Sequence, residues 1–387
     1  MNSTQAPFLH QEKSSFSVIF AGVAAITAAY VYFLLYAGFA FVDLARSLVA
    51  PEHMQRVLAA LGTGGVAGSV MAAHFFLPQR GRWYLMGGFA GGFVAALLTL
   101  LKPSEGFLIP VALLVGFSAA WTAVNLSLCL RPTLHFHRLG MWCGLGTGLA
   151  YALCNQPFIF EASVDTKIVT AAIAAGVGVL ASFKMRGAPN RPSSLPDYEF
   201  RAATGWVIAF FVLVFMDTLV FYIIQNSLAL KQLSWDTPLV LQGNAFVHLC
   251  AAFLAGLVVD QRWPGIATVT ALLLLLASCV VLGLRIDNFP KARMLYIAAV
   301  SIYSTVLIYL PARGGRPRFT AVIFALSGWM ASGLALSAAV GVEARRIPAS
   351  VIVCALVVGL SGLFARYLWI KRAQEMESER LVLRKSD

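Results

Sequence analysis

The chain has 387 residues, of which 59% are hydrophobic and 12% are charged, and its mean hydropathy is +0.78. This composition excludes a soluble globular domain and indicates a polytopic membrane protein. A formal net charge of +12 would suggest a nucleic-acid partner in a soluble chain, but here the basic residues fall in short segments between apolar stretches, where they set membrane topology. We therefore expect the lipid bilayer, and no nucleic acid, as a partner.

Residues 1–15 are polar and lack the basic region and small-residue cleavage site of a signal peptide, so we expect the first apolar stretch to remain as a membrane span. The six cysteines all lie in apolar stretches without CxxC spacing, which is typical of small buried residues. We expect no cofactor.

Twelve apolar runs are long enough to cross about 30 Å of hydrocarbon, six before and six after a polar, proline-rich connector. The segments between the runs are short and turn-like, which predicts antiparallel neighbours. The predicted fold is an all-α polytopic membrane protein with two six-helix bundles. The predicted spans are residues 16–40, 57–77, 84–101, 106–130, 139–160, 168–183, 203–227, 238–259, 266–284, 294–312, 319–341 and 348–370.

The connector between the two halves cannot form a helix because it contains Pro189, Pro192 and Pro196, and its basic residues favour a cytoplasmic position. The side of the membrane that holds the connector and both termini also holds most of the 29 lysines and arginines. We therefore expect this side to be the cytoplasm of a bacterial cell, beneath its inner membrane. The predicted organisation is a cytoplasmic segment 1–15, a bundle 16–183, a connector 184–202, a bundle 203–370 and a cytoplasmic tail 371–387.

The loop after the eighth span reads AGLVVDQRWPG and contains Gly256, Asp260 and Arg262. It resembles the loop signature of the major facilitator superfamily, in which an Asp follows a Gly by four residues and basic residues come next. A small residue lets two helices approach closely, and an Asp at a helix C-terminus requires a cation or a neighbouring helix N-terminus. We predict that these three residues belong to a cytoplasmic gate.

The equivalent loop of the first half keeps Gly81 and Arg82, also predicted gating residues, but has Pro78 where the Asp would stand. The resemblance implies a twelve-span secondary transporter of a small molecule that works by alternating access, here expected as a monomer. The fourth span lacks the buried Arg, and the fifth span the Gly-Pro pair, of the superfamily's drug and proton antiporters. These departures disfavour a multidrug exporter.

In the superfamily the first, fourth, seventh and tenth spans line the central cavity, so the resemblance implies that their polar residues contact substrate or protons. The eighth span adds a small and polar stripe. The alternative is that these serines and threonines bond their own backbone and that the tyrosines only pack. The candidates are Tyr32, Tyr36, Trp121, Asn125, Asp217, Gln225, Asn244, His248, Ser301, Ser304 and Thr305.

Asp217 stands apart from the other candidates because about a dozen apolar residues surround it in the sequence. An ionised carboxylate there costs several kcal/mol unless it is paired or hydrated. We predict that Asp217 carries a coupling proton or binds a cationic part of the substrate. The alternatives are a buried ion pair with Arg366 and a protonated Asp that only hydrogen-bonds. His248 titrates in the range that proton coupling needs, or it is a packing residue.

Two other functions remain open from the sequence. Met71 and His74 share a face of the second span and are soft ligands that suit copper, as in an importer that supplies oxidase assembly, although the paired Met and His motifs of that branch are missing around Met216 and His248. The weak first-half loop favours a membrane assembly protein that does not transport. An enzyme is not expected, because no nucleophile with a base and no carboxylate pair occurs at a usable spacing.

The predicted topology can be tested with reporter domains. A reporter fused after Asp387 or inserted within residues 188–194 should report the cytoplasm, and one inserted within residues 287–290 should report the opposite side, because the positive charge is concentrated on the connector side. A paired phosphatase and fluorescent-protein assay would measure this. A periplasmic signal from the connector would overturn the assignment of every span.

Overall fold

The computed structural model describes residues 16–134, 136–187, 203–284, 289–339 and 347–386. Over these residues the chain is helical and contains no strand. Eleven helices of the described part are long and apolar enough to cross a membrane, and Leu139–Cys154 is apolar but shorter. The predicted all-α fold with twelve membrane helices is confirmed.

The twelve helices are numbered in chain order, and α1 to α6 precede the connector. The first six are α1 (Phe16–Leu48), α2 (Pro51–His74), α3 (Gly81–Leu100), α4 (Glu105–Thr133), α5 (Leu139–Cys154) and α6 (Val164–Lys184). The second six are α7 (Ala203–Asn226), α8 (Pro238–Asp260), α9 (Pro264–Leu284), α10 (Phe289–Gly314), α11 (Pro317–Ala339) and α12 (Ala349–Ser386). The side of the bundle where α6 ends and α7 begins is called the connector face.

Two predicted span boundaries were wrong. Helix α1 continues past residue 40 to Leu48, because its polar last turns are still good helix formers. Helix α5 ends at Cys154, since Pro157 holds Gln156 in an extended conformation and starts a separate turn, Pro157–Phe160. The segment predicted as a cytoplasmic tail, 371–387, continues α12 as a helix as far as Ser386, because no Gly or Pro interrupts it, and its cytoplasmic position stays a prediction.

Some of the sequence predictions lie outside the described residues. These are the segment 1–15, most of the connector at 188–202 and the loop at 285–288. The predicted division into two bundles and the sidedness of the membrane therefore stay predictions.

Helices α5 and α8 lie in backbone contact along a row of small residues, here called the glycine seam: Gly140, Gly144 and Gly148 of α5 against Ala252 and Gly256 of α8. A four-residue spacing places each set on one helix face. A Cβ atom on Gly144 would lie 2.3 Å from the Ala252 carbonyl oxygen, and one on Gly140 would lie 2.4 Å from that of Gly256. The seam has no room for side chains, so it brings the two halves of the chain together at backbone distance.

The halves also touch away from the seam. Helix α2 packs on α11, where a Cβ atom on Gly65 would lie 2.0 Å from the Trp329 ring. On the side opposite the connector face, Phe39 of α1 meets Phe221 of α7 edge to face at 4.9 Å between ring centres. The two halves are therefore in contact near both ends of the bundle.

Two of the membrane helices contain π-helical segments, Tyr32–Ala40 within α1 and Ile323–Met330 within α11. A π-helical turn is wider than an α-helical turn, occurs rarely and is found mostly at functional sites. No feature of the sequence predicted either segment. Both matter for the cavity described below.

A valine at Gly144 should disrupt the glycine seam. The added carbons would overlap the α8 backbone, so we expect the variant to lose about 1–3 kcal/mol of stability, as overpacked sites do. The melting temperature of the purified protein in detergent measures this. Gly176→Val on α6 is the matched control, because a Cβ atom there meets nothing within 4 Å. Equal melting temperatures for the two variants would contradict the seam's role.

Candidate functional site

The carboxylate of Asp217 lies near the middle of α7 and is held by two tyrosines of α10. The Tyr296 hydroxyl donates to Oδ1 at 2.5 Å, and the Tyr303 hydroxyl donates to Oδ2. The two tyrosines are seven residues apart, which is two helical turns, so both lie on the α10 face that meets α7. Each carboxylate oxygen of Asp217 thus has its own donor.

His248 of α8 also contacts α10, with its Nδ1 atom 2.6 Å from the Ser301 hydroxyl. Its ring stacks on that of Tyr151 from α5, with 4.5 Å between the ring centres and a 10° angle between the planes. The Tyr151 hydroxyl lies 3.0 Å from the Ser304 hydroxyl. Helices from both halves therefore meet through polar side chains on α10.

Helix α1 joins the same group, because the Tyr30 hydroxyl donates to the Ser304 carbonyl oxygen at 2.7 Å. Four tyrosines supply much of this hydrogen bonding, and none of them was predicted from the sequence: Tyr30, Tyr151, Tyr296 and Tyr303. The seven-residue repeat of Tyr296 and Tyr303 in an apolar span was the one available signal. We call the whole group the polar cluster: Tyr30, Tyr151, Asp217, His248, Tyr296, Ser301, Tyr303 and Ser304.

An apolar cavity of about 110 Å³ adjoins the polar cluster and lies between α1, α3, α4, α6, α10 and α11. Aromatic and aliphatic side chains form most of its wall. Tyr30 belongs both to this wall and to the polar cluster. Others in the wall are Tyr32, Phe33, Phe89, Ala123, Leu126, Leu307, Ile308, Phe324 and Trp329.

Tyr32 is a predicted site residue that lies in this wall. Its side chain is 5% exposed, and its hydroxyl has no hydrogen-bond partner among the described residues. The nearby Ser118 hydroxyl donates to the Leu114 carbonyl oxygen at 2.7 Å, and its oxygen can still accept a hydrogen bond from Tyr32. The Tyr32 hydroxyl oxygen is enclosed by protein and is not open to the cavity.

Both π-helical segments form part of the cavity wall. The segment in α1 contributes Tyr32 and Phe33, and the segment in α11 contributes Phe324 and Trp329. The rings of Phe33 and Trp329 meet edge to face at 6.0 Å between centres. The two π-helical segments, one from each half, thus contact each other.

Three candidates of the first half bond to the protein itself. The Tyr36 hydroxyl lies 3.0 Å from the Ala95 carbonyl oxygen and 2.5 Å from the Thr99 hydroxyl. Trp121 donates from Nε1 to the Tyr84 carbonyl oxygen at 2.8 Å, and Asn125 donates to a carbonyl oxygen one turn back on α4 at 2.8 Å. None of the three is in the cavity wall.

Three candidates of the second half do not bond to the side chains of the polar cluster in the described structure. Asn244 is buried and donates to the Ser234 carbonyl oxygen of the short helix Leu228–Trp235 at 3.1 Å. Thr305 donates to its own helix, at the Ser301 carbonyl oxygen, at 2.9 Å. Gln225 lies two turns beyond Asp217 on α7.

The predicted gate residue Asp260 contacts a helix N-terminus. Its two carboxylate oxygens accept from the backbone N–H groups of Gly140 and Met141, at 2.7 and 2.8 Å, in the first turn of α5. A negative charge is favourable there, because these N–H groups have no partner within their own helix. Gly256 lies one turn before Asp260 in the glycine seam, and Arg262 is exposed in a left-handed turn with φ of 67°.

The first-half loop has no equivalent contact. Gly81 is the first residue of α3, and a Cβ atom on it would lie 3.1 Å from the Cys129 sulfur. Arg82 is exposed and lies over the Trp83 ring, 5.2 Å from its centre. With Pro78 in place of the Asp, the described part of this loop offers no carboxylate to a neighbouring helix. The two predicted gates are therefore unequal.

The observed geometry gives little support to two alternatives. One is an ion pair between Asp217 and Arg366, and the other is a copper site at Met71 and His74. Arg366 of α12 lies over the Trp206 ring, 4.4 Å from its centre. Trp206 is eleven residues before Asp217 on α7, which is about 17 Å along the helix axis. That position does not give a direct ion pair. Met71 and His74 have exposed side chains on α2, and no group of three His, Cys, Asp or Glu residues is placed to hold a metal within the described ranges.

Twelve apolar helices, backbone contact between α5 and α8, and a polar cluster between the halves are the main features of the described fold. The chain shares this fold with solved structures of major facilitator transporters.

Two solved structures show this likeness. The human organic anion transporter MFSD10 (TETRAN) is 14% identical with a TM-score of 0.61, and the major facilitator transporter FucP in its outward conformation is 12% identical with a TM-score of 0.64. Each match covers 90% of this chain and 98% of the other. No protein-family model and no curated protein sequence matches the chain. At these identities the likeness concerns the fold.

Replacing Asp260 with Asn should weaken the contact with α5. The amide keeps one acceptor oxygen but turns its NH₂ group towards the second N–H, so we expect a loss of about 1.5–3 kcal/mol from the closed arrangement. Spin labels on cysteines at Lys184 and Arg318, in a background without the six native cysteines, would measure a longer distance between the halves.

The exposed acid Asp165, which pairs with Lys102 at 3.5 Å, supplies the control variant Asp165→Asn. An unchanged distance distribution in Asp260→Asn would mean that Asp260 is only a helix-end residue.

Proposed function

We propose that the chain is a secondary transporter that moves a small solute by alternating access and that Asp217 carries a coupling proton. The observation that carries this proposal is the carboxylate of Asp217, held by two tyrosine hydroxyls deep in a membrane helix. A titratable group at this depth is a functional candidate by default.

Protonation of Asp217 would change the bonding between α7 and α10. A carboxylate only accepts, so it can take the Tyr296 and Tyr303 hydroxyls together. A neutral carboxyl group carries one donor of its own, so one of the two tyrosines must turn away or find another acceptor. Loading a proton would therefore bias the arrangement of these two helices.

The polar cluster is suited to transmit that bias between the halves. Tyr30 of α1 and Tyr151 of α5 both bond to Ser304 of α10. A rotation of one half against the other must break or exchange these bonds, which gives the two states different energies. The Asp260 contact would hold the connector face closed in one state, and we take that face to be cytoplasmic.

The cavity favours transport over the alternatives. An assembly protein that does not transport would have no need of a cavity between its halves. For the copper alternative, no group of three His, Cys, Asp or Glu residues is placed to hold a metal among the described residues. We place the protein in a bacterial inner membrane and expect it to act as a monomer on a small-molecule solute.

The variant Asp217→Asn tests the coupling role. It keeps the shape of the side chain and one acceptor oxygen but cannot take up a proton, so we expect the distance between labels at Lys184 and Arg318 to lose its pH dependence. Paramagnetic distance measurements on either side of neutral pH would show this. Asp43→Asn, at a 47% exposed side chain, should keep the pH dependence of the parent.

A transport assay completes the test. Proteoliposomes with a trapped pH dye would be given small neutral and charged molecules in turn, and at least one should drive proton influx with the parent protein and not with Asp217→Asn. Equal influx with both proteins would leave Asp217 without a role in coupling. If Asp217→Asn fails to fold and is rescued by neutralising Arg366, a structural ion pair would replace the proposal.

A further inference from the structure

We propose that the short helix Leu228–Trp235 is a lid that closes the bundle on the side opposite the connector face. The lid belongs to the second half of the chain and places the Trp235 ring against Phe160 of the first half. This inference rests on the proposed function in taking the two halves to move against each other. It adds the device that holds this side of the bundle closed.

The last turn of the lid is fastened to the second half. The Arg293 side chain of α10 donates to the Leu233 carbonyl oxygen at 3.0 Å, and the Asn244 side chain of α8 donates to the Ser234 carbonyl oxygen at 3.1 Å. The last carbonyl groups of a helix have no partner within it and carry partial negative charge, so both donors are favourable there. We therefore expect the lid to move together with α8 and α10.

Four aromatic rings, two from each half, meet at the lid. The centre of the Trp235 ring lies 5.5 Å from that of Phe160, in the short turn between α5 and α6, and 6.2 Å from that of Phe221 of α7. Phe221 in turn meets Phe39 of α1 at 4.9 Å. We call these four residues the aromatic latch. Such ring pairs attract each other beyond the burial of their apolar surface, and they separate without leaving an unpaired polar group.

Charges beside the aromatic latch oppose its closure. Lys167 of α6 lies over the Phe160 ring, 5.7 Å from its centre. Asp43 of the same half attracts Lys167, whereas Lys231 of the lid repels it. On the connector face, by contrast, Asp260 joins the halves through two charge-assisted hydrogen bonds. The two sides of the bundle are thus held differently, and we expect the lid side to open more readily.

The lid lies above the polar cluster. Helices α8 and α10 both begin on the lid side. Arg293 is three residues before Tyr296, which bonds to Asp217, and Asn244 is four residues before His248. Residues three or four apart share a helix face, so each side chain that holds the lid lies one turn outside a residue of the polar cluster. Opening of the lid would therefore shorten the path from water to Asp217.

The test measures distances between paired spin labels in the full chain, in lipid nanodiscs and in a background without the native cysteines. One label is placed at Ala229 of the lid and the other at Glu52 of α2, both exposed positions. Phe160→Ala removes a ring of the aromatic latch from the first half and leaves the lid unchanged. Phe158→Ala is its matched control, because Phe158 belongs to the same short turn and is 74% exposed.

We expect Phe160→Ala to raise the ratio of long to short distances about two- to tenfold, the range for one aromatic pair, and Phe158→Ala to leave the ratio unchanged. Trp235→Ala should act in the same direction, and Trp235→Phe, which keeps a ring, should retain the distances of the parent. Lys231→Gln, at an exposed position, should lower the ratio because it removes the repulsion. An unchanged ratio in both Phe160→Ala and Trp235→Ala, or an equal rise in Phe158→Ala, would overturn the inference.

A second pair of labels lies within the second half, at Ala229 and at the exposed Ser337 of α11. This distance should stay the same in every variant. A longer distance would mean that the lid moves alone, which contradicts its attachment to α8 and α10.

These measurements involve neither Asp217 nor a proton gradient. Failure of the expected distances would count against the lid alone. The expected distances combined with equal proton influx in the parent and Asp217→Asn would count against the proposed function and leave the lid in place.

Discussion

The backbone contact between α5 and α8 is the constraint on which the rest of the structure depends. Gly148 lies against Leu249, and this close approach brings Tyr151, one turn further along α5, onto the ring of His248. At the connector end of the same seam, Asp260 reaches the first turn of α5. A larger residue in the seam would weaken both contacts, because its side chain would push the two helix backbones apart.

Helix α10 connects two different environments within the bundle. Tyr303 and Ser304 bond to other helices of the polar cluster, whereas Leu307 and Ile308, one turn further, line the apolar cavity. The titratable Asp217 is therefore kept outside the apolar cavity. In a medium without water this separation avoids an unpaired ion against apolar side chains, which is strongly unfavourable.

The candidate site was predicted in part from the sequence. Asp217, His248, Ser301 and Ser304 were selected as polar residues in apolar spans, and the structure brings these four together. The tyrosines that join them were not selected, because a tyrosine in a membrane span is usually a packing residue. Asn125, by contrast, bonds within its own helix, an outcome that side-chain type alone does not distinguish.

The sequence by itself determined the class of protein, the number of membrane helices and most of their positions, because hydropathy and charge act locally along the chain. The π-helical turns, the cavity and the partners of each polar group were decided only by the tertiary structure. Tyr30 and Ser304 are 274 residues apart in the chain, yet they share a hydrogen bond. Such a contact depends on how all the intervening helices pack, and no local pattern of residues encodes that packing.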